Sequence, residues 1–159
     1  MKKTYSVLFV CLGNTCRSPL AEVILKSGLK QAGIKKVNVS SAGTGAFEGA
    51  RASSGSTITA RRMGLSLARF RSKPLTPLRV RRADLILTMT ASQKREVRAR
   101  FPEDADRVFT LSEYSGTGEG DVRDPVGSPL PAYFRCGDRL RADIKRVIPR
   151  LRKAIKLKR

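Results

Sequence analysis

The chain has 159 residues, 40% of them hydrophobic, and carries 33 Lys plus Arg against 13 Asp plus Glu, a formal charge of +20. That length predicts one domain, 1–159, with a buried core, and the charge predicts a field that attracts anions. Histidine is absent, which excludes Ser-His-Asp triads, Cys-His pairs and His-containing zinc sites.

Lys2 and Lys3 precede Val7-Leu8-Phe9-Val10, a superficial likeness to a secretory leader, but the run is too short and leads into Gly13-Asn14. No window approaches a membrane span. Cys11, Cys16 and Cys136 are too few and too unevenly spaced for a disulfide framework, which favours a reducing compartment. A soluble cytoplasmic protein with no membrane partner is expected. The basic surface reads first as a solvated face, and no recognition motif for specific nucleic acid is present.

Tyr5 to Val10 is an apolar, β-rich run that predicts a buried strand. Ser18-Pro19 then reads as a helix start, Ser as N-cap and Pro at the first helical position. Leu20, Val23, Ile24 and Ala32 share a face of that helix, and Gly33 stops it. Val37 to Ser40 alternates as a second strand. Ser41 to Ser56 is rich in small residues and reads as loop, giving way to a helix that ends near Gly64. Ala83 to Met89 is the third strand, Ser92 to Phe101 a basic helix, and Val108 to Leu111 the fourth strand. A Gly-rich segment from Gly116 to Gly120 leads to Asp124-Pro125. From Leu130 a helix is expected with Leu140, Ile144, Val147, Ile148 and Leu151 as its inner stripe, kinked or reset at Pro149. This alternation predicts an α/β fold: a four-stranded parallel sheet with helices on both faces. Ligands of such sheets sit beyond the carboxyl ends of the strands.

Beyond the first strand lies Cys11-Leu12-Gly13-Asn14-Thr15-Cys16-Arg17-Ser18, in which five residues separate a Cys from an Arg. A loop that wraps into a helix N-terminus aims backbone N–H groups inward and makes a phosphate cradle. Gly13 permits positive φ, and Asn14 tolerates it better than most residues. The positive helix end is expected to keep Cys11 a thiolate near neutral pH, so no base is needed. Arg17 offers a planar fork for two phosphoryl oxygens, and Ser18 can donate to the Cys11 sulfur. Each part has a bland reading as well. A Cys at a strand end is often a small buried hydrophobe, and the Cys-Arg spacing recurs by chance. It is the placement between a strand and Ser-Pro that makes the pattern specific.

VLFVCLGNTCRSPLAE (7–22) resembles the low-molecular-weight protein tyrosine phosphatases and their bacterial relatives, the protein arginine phosphatases. SAGTGAF (41–47), ADLILTMT (83–90), VFTLSEY (108–114) and DVRDP (121–125) follow in the family's order and span nearly the whole chain. The resemblance implies a general acid at Asp124, which by itself would read as a turn initiator before Pro125. It implies a substrate wall at Phe47, for which core packing is the competing reading. It also implies a reversible Cys11–Cys16 disulfide, although Cys16 reads equally as a buried thiol. Asp121 is the nearest rival carboxylate and reads as structural. On this resemblance Cys11, Arg17 and Asp124 are catalytic, and Leu12, Gly13, Asn14, Thr15, Cys16, Ser18 and Phe47 bind substrate.

The implied activity is hydrolysis of a phosphorylated protein side chain through a phosphocysteine, with phosphate or another oxyanion in the loop and no metal or cofactor. Thr15 resembles the arginine branch, where the tyrosine branch carries a bulky aliphatic residue, and this favours phosphoarginine over phosphotyrosine. Val126 departs from the aromatic residue common to both branches. Arsenate reduction is a second reading, weakened because Cys136 stands alone. A non-enzymatic module that binds an oxyanion or nucleic acid through the basic surface is a third.

Overall fold

In the computed structural model, which describes residues 3–158, the four strands are β1 (Tyr5–Cys11), β2 (Val37–Gly43), β3 (Leu85–Thr88) and β4 (Val108–Thr110). They form one parallel sheet in the order β2-β1-β3-β4. The helices are α1 (Arg17–Gln31), α2 (Ser54–Arg62), α3 (Pro77–Arg82), α4 (Ala91–Arg100), α5 (Leu111–Ser115) and α6 (Leu130–Lys158), with a 3₁₀ turn at Pro102–Arg107. Side chains alternate across β1, as the period of a strand requires. Val7, Phe9 and Cys11 enter a core with Leu20 and Leu25 of α1 and Leu140, Ile144 and Leu151 of α6. Leu8 and Val10 enter the opposite core with Val80 of α3 and Val97 of α4. Helices thus cover both faces.

Several boundaries differ from the sequence expectation. The α1 N-cap is Cys16, not Ser18, and Cys16 makes no side-chain capping bond. Ser18 lies within the first turn, where its hydroxyl has other partners. Gly33 does close the helix, at φ 68°. The second strand runs on to Gly43 because Phe9, Val10 and Cys11 pair with Ser41, Ala42 and Gly43. Those small residues read as loop because they lack the β-branched bulk of a strand. Leu111 begins α5 instead of ending β4, with Thr110 as its cap. The short α3 has no counterpart among the elements expected from the sequence; Thr76 caps it before Pro77. Pro149 does not reset α6, which continues to Lys158, and Ile148 is only half-buried on its stripe.

The chain leaves β1 for β2 on one side and later returns to β3 on the other side. Between β1 and β3 the strand order therefore reverses, which opens a crevice at their carboxyl ends. Two segments converge there: the loop after Cys11, and residues 121–124. The second is pinned by Val122 N–H donating to Met89 O at 2.9 Å and by Ala91 N–H donating to Asp121 Oδ1 at 2.8 Å.

Candidate active site

The Cys11 sulfur lies 2.8 Å from Ser18 Oγ. Asn14 Nδ2 donates to the same Ser18 oxygen at 2.8 Å and to Ser41 Oγ at 3.0 Å. Ser41 in turn donates to Glu22 Oε1 at 2.8 Å. Because Asn14 supplies a proton to the Ser18 oxygen, the Ser18 hydroxyl hydrogen is free to point at the sulfur. Asn14 holds φ 54°, is fully buried, and takes the Lys73 amide on its Oδ1 at 2.8 Å. It is a strut between the loop, β2 and the segment before α3. The sequence offered Asn14 only as a residue tolerant of positive φ. Ser41 and Glu22 went unread, although Glu22 lies one helical turn beyond Ser18 and therefore shares its face.

Leu12 and Gly13 are exposed, and Thr15 is half-buried. The amides of Gly13, Thr15, Cys16 and Arg17 donate to no protein group among the described residues. They stand at the N-terminal end of α1, where unpaired donors and the helix dipole favour an anion. The loop is shaped from outside by Gly43, where a Cβ would meet Leu12 O at 2.5 Å and Asn14 N at 3.0 Å.

Arg17 is buried. Its Nη1 donates to Val122 O at 3.0 Å and its Nη2 to Asp124 Oδ2 at 3.3 Å. Asp124 Oδ1 accepts the Val126 amide at 3.1 Å. The fold thus brings Cys11, Arg17 and Asp124 to one crevice across more than a hundred residues of sequence. Asp121 turns away, occupied with the Ala91 amide. Phe47 is 85% exposed and so takes no part in the core. Its loop is tied to the cradle through Thr44 N–H donating to Cys11 O at 3.0 Å and Gly45 N–H to Leu12 O at 2.9 Å.

Cys16 donates to Ser53 Oγ at 3.2 Å and lies 4.0 Å from the Tyr133 hydroxyl. All three cysteines are free thiols. The expectation that Cys11 is ionised near neutrality meets an opposing cause. Burial pushes the Cys11 thiol up, and this outweighs the downward pull of the Ser18 hydroxyl and amide, the Arg17 charge and the Asn14 amide. The sequence reveals the helix end that helps the thiolate but not the depth at which the sulfur is desolvated.

A cysteine beneath unpaired amides at the switch point of a parallel sheet, with an Arg and an Asp beside it, is an arrangement suited to cysteine-dependent phosphoryl transfer. The model of the low molecular weight phosphotyrosine protein phosphatase family matches residues 6–157, and the chain belongs to that family. It is similar to a protein-arginine-phosphatase of Geobacillus stearothermophilus, 38% identical over 92% of this chain and 96% of the relative. The corresponding enzyme of Bacillus subtilis is 37% identical over 92% of this chain and 97% of its own. A low molecular weight protein-tyrosine-phosphatase of Staphylococcus epidermidis is 37% identical over 80% of this chain and 85% of its own. Among solved structures, an arginine phosphatase variant with a phosphorylated active-site serine superposes with a TM-score of 0.89 at 36% identity, covering 93% of this chain and 96% of that one.

Proposed function

We propose that the protein hydrolyses phosphorylated protein side chains through a phosphocysteine on Cys11, and that phosphoarginine is its preferred substrate. The observation that carries the chemistry is the Cys11–Ser18 contact of 2.8 Å beneath the unpaired amides, with Arg17 reaching Asp124 at 3.3 Å. The thiolate attacks phosphorus in line. Loop amides and the Arg17 fork hold the equatorial oxygens, whose charge they stabilise in the transition state. A phosphoryl group bound by Arg17 competes with Asp124 for the guanidinium; the freed carboxylate takes the proton that the Cys11 thiol gives up as it becomes the attacking thiolate, and passes that proton to the leaving group. Water then cleaves the sulfur–phosphorus bond with the Asp124 carboxylate as base, and the Ser18 hydroxyl stabilises the departing thiolate.

Two features support phosphoarginine. The relatives from Geobacillus stearothermophilus and Bacillus subtilis, each matched over 92% of this chain, are named protein-arginine-phosphatases. Thr15 presents a small, half-buried hydroxyl residue in the cradle, which leaves room for a guanidinium on phosphorus. Steady-state kcat/KM for matched phosphoarginine and phosphotyrosine peptides tests the reading. The native protein should favour phosphoarginine, and Thr15→Ile should shift the ratio toward phosphotyrosine; a native preference for phosphotyrosine that Thr15→Ile leaves unmoved rejects it. Cys11→Ser should abolish turnover, and Asp124→Asn should lower kcat by about 10²–10⁴, the usual worth of a positioned proton donor.

A further inference from the structure

On the α6 side of Asp124 lies a cavity of about 350 Å³ whose walls include Arg123, Arg135, Arg139, Pro125, Ser128 and Cys136. Asp124 lines it too, so it adjoins the crevice that holds Arg17. We propose that this cavity is an anion subsite that takes a carboxylate side chain flanking the phosphorylated residue of the substrate. The inference rests on the phosphatase reading and adds to it a choice among phosphorylated sequences.

Charge and occupancy carry the argument. Arg139 is committed: it pairs with Asp143 Oδ2 at 3.1 Å and donates to the backbone carbonyls of Gly120 and Asp121. It therefore braces the wall. Arg123 and Arg135 are exposed and, among the described residues, their side chains make no hydrogen bond or ion pair. Two arginines without side-chain partners, lining one cavity beside the reaction centre, offer their donors to an anion. The two carboxylates of the lining do not fill that role. Asp121 Oδ1 accepts the Ala91 amide at 2.8 Å, and Asp124 is held by Arg17 and the Val126 amide. Cys136 adds no negative charge, since burial pushes its thiol up to about 12. Arg is also suited to a carboxylate in a way Lys is not, because its planar donors match both oxygens.

The test uses three substrates: a phosphopeptide with an acidic residue beside the phosphorylated one, the same peptide with that residue replaced by its amide, and p-nitrophenyl phosphate. The native protein should favour the acidic peptide. Arg135→Gln should reduce kcat/KM for the acidic peptide by about tenfold, as loss of a close charge pair does, with little effect on the other two substrates. Lys153→Gln is the control for net charge. It removes the same charge about 27 Å further along α6, at 1.5 Å per residue, and should leave the preference intact. An equal loss in both variants would show a long-range field with no subsite, and so overturns the proposal. So does a native protein indifferent to the flanking charge. If the native protein turns over none of the three substrates, the phosphatase reading fails first. Inorganic phosphate should inhibit the native protein and Arg135→Gln alike, because it occupies the Cys11 cradle; a loss of that inhibition in Arg135→Gln would place Arg135 in the cradle itself and overturn a separate subsite.

Discussion

Ser18 shows how a residue's role is decided by its partners. As a helix cap its loss would cost stability; as the donor to a buried sulfur its loss changes an acid. Burial raises the Cys11 thiol, and the Ser18 hydroxyl is the largest of the effects that lower it. Ser18→Ala removes that downward pull, so the thiol should ionise at higher pH than in the native protein. The rate of Cys11 alkylation by iodoacetamide, followed against pH, should have its midpoint displaced upward, and turnover should lose activity first on the acid side. An unmoved midpoint would mean that the hydroxyl does not face the sulfur. Asn14 acts one step back: Asn14→Ala leaves the Lys73 amide and the Ser18 and Ser41 oxygens without their partner. Each unsatisfied buried group costs about 1–3 kcal/mol, so chemical denaturation should read a marked loss of stability with the core sequence unchanged.

At the scale of elements, the loop depends on how α2 meets α6. Gly55 of α2 lies against the ring of Tyr133, where a Cβ would meet ring carbons at 2.6 Å. Tyr133 in turn approaches Cys16, the α1 cap, at 4.0 Å. Alanine is favoured over glycine within a helix by about 1 kcal/mol, yet here overpacking of about 1–3 kcal/mol opposes it. Gly55→Ala should therefore lower the melting temperature, contrary to propensity. Relaxation of Tyr133 away from the clash should also raise KM through the loop. Brevity explains why α3 gives no signal in the sequence and why α2 is placed by its end near Gly64 and not by its start. Both are short, and their cores are one or two residues, Ala60 in α2 and Val80 in α3. Little periodic signal is available in helices of that length, whereas α1 and α6 each repeat their apolar face over several turns.

For the whole molecule, +20 charge on 159 residues creates a field that reaches beyond the crevice. Raising salt from about 0.01 M to about 1 M shortens the screening length from roughly 30 Å to roughly 3 Å. KM for an acidic phosphopeptide should rise over that range much more than KM for p-nitrophenyl phosphate, because the peptide experiences the extended surface. Equal salt sensitivity would confine the electrostatics to the cradle. No helix among the described residues is long and apolar enough to cross a membrane.

The strand periods, the helical stripes of α1 and α6, and the Cys-Arg loop before Ser-Pro were all readable along the chain. They are local: alternation, helical spacing and turn chemistry act within a few residues, and so they determined the α/β class and the position of the cradle. What tertiary structure decided is everything that joins distant segments. Val122 O and Asp124 meet Arg17 only because α6 and the β3 end pin residues 120–124 across the crevice. Ser41 enters the cradle only through parallel pairing of β1 with β2, and there it joins Glu22 of α1 to the network. The depth of the Cys11 sulfur, and with it the desolvation that opposes its ionisation, is likewise a property of packing, because the cost of charge depends on what surrounds an atom in space and not on its neighbours in sequence.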